Sequence, residues 1–248
     1  MKKVFAFLAM AAMVTFVSCN NKNNPGGGGG NDPDDEKEYV QPIKIDGDFS
    51  DWAKLDATKV STATCVADAK YTALKTVKVY ADELFVFVYL EWDKEQIEAV
   101  PDVEHVPFHM YINGDGNAAT GGYADEFSDA CSDLLLEGSL FDGSAWQGYD
   151  PGAFKWLGEP NASGWSWEKD GENILASGSG LCSGAGIEGK YEIALVRELY
   201  PVGKLADNFS IGFDIQQKWE TVGVLPNAAV SDENPSGTAP SLQVVTVK

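Results

Sequence analysis

Between Phe141 and Trp167 the chain carries Trp146, Tyr149, Phe154, Trp156, Trp165 and Trp167, interleaved with Gly, Asp, Glu and Asn. Flat rings beside carboxylates and amides suit a neutral sugar, whose apolar ring face lies on an indole while its hydroxyls bond to polar neighbours. Gly and Pro break the stretch too often for regular core, so some of these rings are expected at the surface. Trp165 and Trp167 are two apart on a predicted strand and face one side, as a sugar platform or as core. Trp146, Tyr149 and Trp156 lie in loop-like sequence and are expected to be partly exposed, whereas Trp52 and Trp219 are expected in the core. The expected ligand-binding set is Trp146, Tyr149, Trp156, Trp165 and Trp167, and the expected partner is a poly- or oligosaccharide.

A second group bears oxygen ligands. Asn113, Asp115 and Asn117 alternate in a glycine-containing loop, the spacing that lets a tight turn aim three side chains at one centre. Hard oxygen donors suit Ca²⁺. Asp125 and, across the sheet, Asp133 complete an expected metal set of Asn113, Asp115, Asn117, Asp125 and Asp133, with Thr120 and Glu126 as further donors. The loop is not an EF-hand, because its sixth position is Ala118 rather than Gly and no Glu occupies the twelfth. Asn-Gly and Asp-Gly pairs serve equally well as plain turns.

Catalytic patterns are missing. His105 and His109 are the only histidines, and neither lies in a nucleophile elbow, a zinc-ligand spacing or a Cys-His arrangement. Carboxylates are plentiful, as an acidic chain guarantees, so composition alone does not remove glycoside hydrolysis. The expectation is a non-catalytic binder. The alternative is a structural or protein-interaction accessory subunit of a cell-envelope assembly, which would expose aliphatic edges or patches instead of an aromatic platform.

The elements that must position these groups read as strands. From Leu74 to Trp92 the chain is rich in β-branched and aromatic residues and is split at Ala81-Asp82-Glu83 into a hairpin. Similar runs recur at Val106 to Ile112, Asp133 to Phe141, Trp165 to Trp167, Asn173 to Ala176, Lys190 to Val196, Asn208 to Gln216 and Leu242 to Val247. No 3.6-residue period is sustained outside the first residues, and single helical turns are expected near Asp93 to Ala99 and Arg197 to Tyr200. The predicted fold is all-β, an antiparallel two-sheet β-sandwich of jelly-roll or immunoglobulin-like type with very little helix.

The run Ile45-Asp46-Gly47-Asp48-Phe49-Ser50-Asp51-Trp52 resembles the first-strand motif of family 9 carbohydrate-binding modules and DOMON-like domains. The resemblance continues through the hairpin Tyr80 to Val88, and through Phe108 to Tyr123 followed by Asp133-Leu134-Leu135-Leu136-Glu137-Gly138. It covers about residues 43 to 140 and implies the sandwich, while such domains bind sugars, haem or nothing known. Haem ligation by a Met and a His, as in the DOMON branch, is not expected here, because His109 and Met110 are strand neighbours and point to opposite faces.

The N-terminus reads as an export signal over residues 1 to 18: Lys2 and Lys3, an apolar run from Val4 to Val17, then Ser18. Phe16-Val17-Ser18-Cys19 resembles a bacterial lipobox, which implies lipidation at Cys19, although Phe16 stands where Leu is usual. Residues 19 to 38 carry the lipidated Cys and a Gly, Asn and Asp tether, which as random coil reaches about 25 Å. The domain then occupies residues 39 to 248. The expected location is secreted and lipid-anchored at the outer membrane, facing the cell surface or the periplasm. The 18 Lys plus Arg against 38 Asp plus Glu give a net charge of −20, which argues against nucleic acid and leaves the lipid as the only attachment to a membrane. Cys65, Cys131 and Cys182 allow at most one internal disulfide; Cys131 with Cys182 is the preferred pair, three free thiols the alternative.

Overall fold

A computed structural model describes residues 39–97, 105–122, 124–129, 131–140, 149, 151–169, 182–187, 189–198 and 203–248. Ile43–Lys248 forms one compact unit. Its strands are β1 (Ser61–Thr64), β2 (Leu74–Ala81), β3 (Phe85–Trp92), β4 (Pro107–Asn113), β5 (Leu134–Ser139), β6 (Gly152–Trp156), β7 (Trp167–Lys169), β8 (Cys182–Ile187), β9 (Lys190–Val196), β10 (Asn208–Gln217), β11 (Glu220–Leu225) and β12 (Leu242–Val245). The predicted run at Asn173 to Ala176 lies outside the described residues.

The strands make two antiparallel sheets, β1-β2-β3-β9-β8 and β11-β10-β4-β5-β6-β7, and β12 also pairs with β10. β12 takes Asn208 to Ile211 of β10 and β11 takes Phe213 to Gln217, so the two share one edge of that long strand. Alternation along the strands turns Val77, Val79, Val86, Val88, Leu90, Ile193 and Leu195 of the first sheet toward Phe108, Met110, Ile112, Leu134, Leu136, Ile211 and Phe213 of the second. This is the expected β-sandwich. A single helical turn, α1 (Lys94–Ile97), starts where the Asp93 carboxylate accepts from the N–H groups of Glu95 and Gln96.

The Ile-Asp-Gly…Trp run lies over the outer face of the first sheet, where Ile43, Trp52, Phe87, Tyr89 and Ala194 pack together. Its anchor is Glu192 of β9, which is 0% exposed. Glu192 accepts from the backbone N–H groups of Asp46 and Gly47 and from the indole of Trp52, at 3.0, 2.8 and 3.2 Å. Gly47 sits at φ +81°, a backbone state in which a side chain is strained. Burial raises the Glu192 pKa, while the N–H groups pull it back down. Trp52 is core, as expected.

Two expectations change. Trp219 is 61% exposed, not buried; with Lys218 it forms the turn between β10 and β11, both at positive φ, and its ring lies at the hairpin tip beside His105. Cys131 is a buried free thiol that accepts a hydrogen bond from Asn113 Nδ2 at 3.1 Å, so it is not paired with Cys182. Cys65 is free as well.

Candidate functional site

The outer face of the second sheet carries the polar and aromatic side chains that the core-facing residues leave on the other side. Register aligns Asp214, His109 and Glu137 across β10, β4 and β5, and the next row runs Gly212, Tyr111, Leu135 and Phe154. Trp156 and Trp167 pair across β6 and β7. Tyr111, Ala124, Phe127, Leu135, Trp167 and Val224 form a second apolar cluster here, flanked by Tyr71, Phe154 and Trp156.

His109 is 4% exposed. Its Nδ1 lies 2.9 Å from Asp214 Oδ2 and its Nε2 3.1 Å from Glu137 Oε2. Burial pushes its pKa down, but hydrogen bonds and charge attraction from Asp214 and Glu137 outweigh this and bring it to about 9. At neutral pH the imidazolium therefore donates from both nitrogens, and it has no lone pair with which to act as a base. Met110 points into the core, on the face opposite to His109. Asp214 is fully buried, and its Oδ1 finds no hydrogen-bond partner among the described residues.

Beside this network a cleft of about 310 Å³ is lined by Lys70, Tyr71, Asp125, Glu126, Val224, Asn227 and Thr238, among others. Tyr71 and Val224 belong to the aromatic cluster as well, so the cleft and the cluster are continuous. Burial raises the Glu126 carboxyl above its usual range, and the nearby charges of Asp214 and Asp125 add to the rise. The Lys70 ammonium stands 4.7 Å from the centre of the Tyr71 ring. Asn227 holds the wall together: its side chain accepts from Val66 N–H and donates to the Tyr71 carbonyl.

The expected platform residues separate. Trp165 is 65% exposed and meets Phe154 edge to face at 6.3 Å. Trp156 and Trp167 meet edge to face at 5.2 Å, but Trp167 is buried. A Cβ built on Gly122 would fall 2.2 Å from the Trp156 ring and one on Gly158 would fall 2.4 Å from it, so backbone at both glycines packs against that indole. Tyr149 corrects the expectation of exposure: it is 2% exposed, packs on Phe108 and donates its hydroxyl to the carbonyls of Phe108 and Leu136. Trp146 lies outside the described residues. Trp156 is half-buried, as expected, and Trp165 is the most open ring of the expected set among the described residues.

The oxygen-bearing loop is also divided. Asp115 accepts from Asn117 N–H and the Thr120 hydroxyl, Asn117 accepts from Ala119 N–H, and Asp133 accepts from the N–H groups of Gly114 and Asp115. These are the contacts of a hairpin-capping turn. Burial, with Asp115 close by, raises Asp133 to about 6. Asp125 is on the cleft instead, and among the described residues no three His, Cys, Asp or Glu side chains converge on one centre. Asn113 Oδ1 is buried and finds no hydrogen-bond partner among the described residues.

Sequence reasoning missed Glu137, Asp214, Tyr71 and Glu126 as a group. The signal was faint: a His, an Asp and a Glu at strand positions that alternation assigns to the same outer face, visible only once the β10-β4-β5 order is known.

No protein-family model matches the chain, and no curated protein matches it. Among solved structures it is similar to a family 9 carbohydrate-binding module from Caldicellulosiruptor kristjanssonii in complex with cellotriose, with 10% identity, 84% of this chain and 90% of that chain covered, and a TM-score of 0.35.

Proposed function

We propose that this chain is a non-catalytic glycan-binding lipoprotein, acylated at Cys19 and displayed on the tether of residues 19 to 38. The observation that carries the reading is the outer face of the second sheet, where the open indole of Trp165 stands on Phe154 at one end of an aromatic cluster whose other end, Tyr71, lines a polar cleft. A flat apolar ring to lie on and fixed acceptors and donors for hydroxyls are the two parts a glycan uses, and with Phe154 on β6 and Tyr71 beside β11, four strands away, they suit different units of one oligosaccharide. His109, hydrogen-bonded to both Asp214 and Glu137, ties β10, β4 and β5 together beneath the site.

The test is retention on immobilised polysaccharides of a broad panel, with Trp165→Ala beside the wild type. Binding to one class, weakened about tenfold in the variant, is expected, since stacking on an aromatic ring contributes about 1 kcal/mol or more beyond area burial. No retention on any member would overturn the reading in favour of the envelope-assembly role. Lipidation is checked separately by labelling cells with a fatty acid and comparing Cys19→Ala.

A further inference from the structure

Which glycans the cleft admits depends on its charges. Its wall carries two carboxylates, Asp125 and Glu126, and one cation, Lys70. Behind Glu126 stands the fully buried Asp214, close enough to raise the Glu126 carboxyl and with one oxygen that finds no hydrogen-bond partner among the described residues. His109 is already engaged by Asp214 and Glu137, so it offers no proton-bearing nitrogen to a ligand. The Lys70 ammonium is held over the Tyr71 ring. The remaining lining groups, Tyr71, Asn227, Ser236 and Thr238, are uncharged.

We infer that, within this glycan-binding reading, the cleft is a charge filter: Asp125 and Glu126 admit uncharged glycans and exclude those bearing uronate or sulfate groups. A carboxylate brought against two others meets repulsion that a single ammonium does not cancel, and this repulsion is strongest where water is displaced. Hydroxyls of a neutral sugar meet the same carboxylates as hydrogen-bond acceptors, and such charge-assisted bonds are among the stronger ones.

The whole chain is acidic, so repulsion of anionic polymers by net charge must be told apart from exclusion by the cleft. Salt does this. At about 0.5 M NaCl the screening length falls to about 4 Å, which removes long-range repulsion and leaves contact repulsion in the cleft. The experiment measures the fraction of full-length protein bound to beads carrying cellulose, galactomannan or β-1,3-glucan, and to beads carrying polygalacturonate or chondroitin sulfate, at 0.05 and 0.5 M NaCl. The expected result is retention on a neutral matrix and at least tenfold weaker retention on both anionic ones at either salt. The variant Asp125→Asn/Glu126→Gln, shown to be folded by its melting point, should gain at least fivefold on an anionic matrix at 0.5 M NaCl. Equal retention on neutral and anionic beads, exclusion that vanishes in wild type at high salt, or no gain in the variant would each overturn the filter while leaving glycan binding standing. Retention on nothing at all would overturn both.

Discussion

Raising the pH from 6.5 through about 9 strips the proton that joins β10, β4 and β5 at His109. The ring is bonded to Asp214 and Glu137 at 2.9 and 3.1 Å, and its pKa rises from 6.5 to about 9 on folding. One pKa unit corresponds to about 1.4 kcal/mol, so the proton adds roughly 3 kcal/mol to stability. Because the folded value is the higher one, this contribution is fully present below pH 6.5 and is lost as pH climbs through about 9. Asp133, raised to about 6, acts at lower pH, and Cys131, raised from 9, contributes only at the upper end, so the window belongs largely to His109. The assay is urea unfolding of the 39 to 248 domain at half-unit pH steps, followed by Trp fluorescence. Wild type should lose about 3 kcal/mol between pH 6.5 and 9.5, while Asp214→Asn/Glu137→Gln, which keeps polar partners and removes the attracting charges, should show a flat profile there. A wild-type profile as flat as the variant's would refute the reasoning.

Trp52→Phe deletes the indole donor to buried Glu192 and should cost about 1 to 3 kcal/mol in the same unfolding assay, the range for orphaning a buried acceptor. Gly122→Ala drives a methyl into the Trp156 ring and should cost about 1 to 3 kcal/mol or more, measured as a drop in urea midpoint. Replacing Lys218-Trp219 with Asn-Gly relieves two non-glycine residues at positive φ and should raise stability by about 1 to 2 kcal/mol, read as a higher melting temperature. For calcium, an ion seated at Asp115 and Asp133 beside Asn113 should raise the melting midpoint in millimolar Ca²⁺ relative to EGTA, and equal midpoints would remove it.

What the sequence made legible were the elements whose local pattern and tertiary setting agree. The β2-β3 hairpin and β9 stand where alternating β-branched and aromatic residues put them, the hairpin turn being closed by Asp82, which accepts from Leu84 and Phe85 N–H. β11 escaped because its turn is Lys218-Trp219, which lacks the Asn or Gly that marks a tight hairpin. β1 escaped because Ser-Thr-Ala-Thr is a short edge strand without a continuous apolar face, and β6 because Gly152 begins a stretch that looked irregular.

The site was legible in its chemistry and not in its exposure. Counting aromatics singles out the Trp156 to Trp167 region as a candidate, but exposure depends on what the rest of the chain lays over each ring, and against Trp156 the covering groups include glycines. Gly122 and Gly158 bring backbone against Trp156, and Gly212 leaves room for the Phe127 ring, so residues with no side chain decide which aromatic rings a ligand can reach. Such coverage joins positions far apart in sequence and leaves no local pattern. It follows that Trp165, which no glycine covers among the described contacts and which is 65% exposed, is the ring on which the glycan reading stands. It also follows that Gly122→Ala should disturb binding only through folding, whereas Trp165→Ala should weaken binding about tenfold at unchanged stability, and the reverse pairing would place the ligand elsewhere on the sandwich.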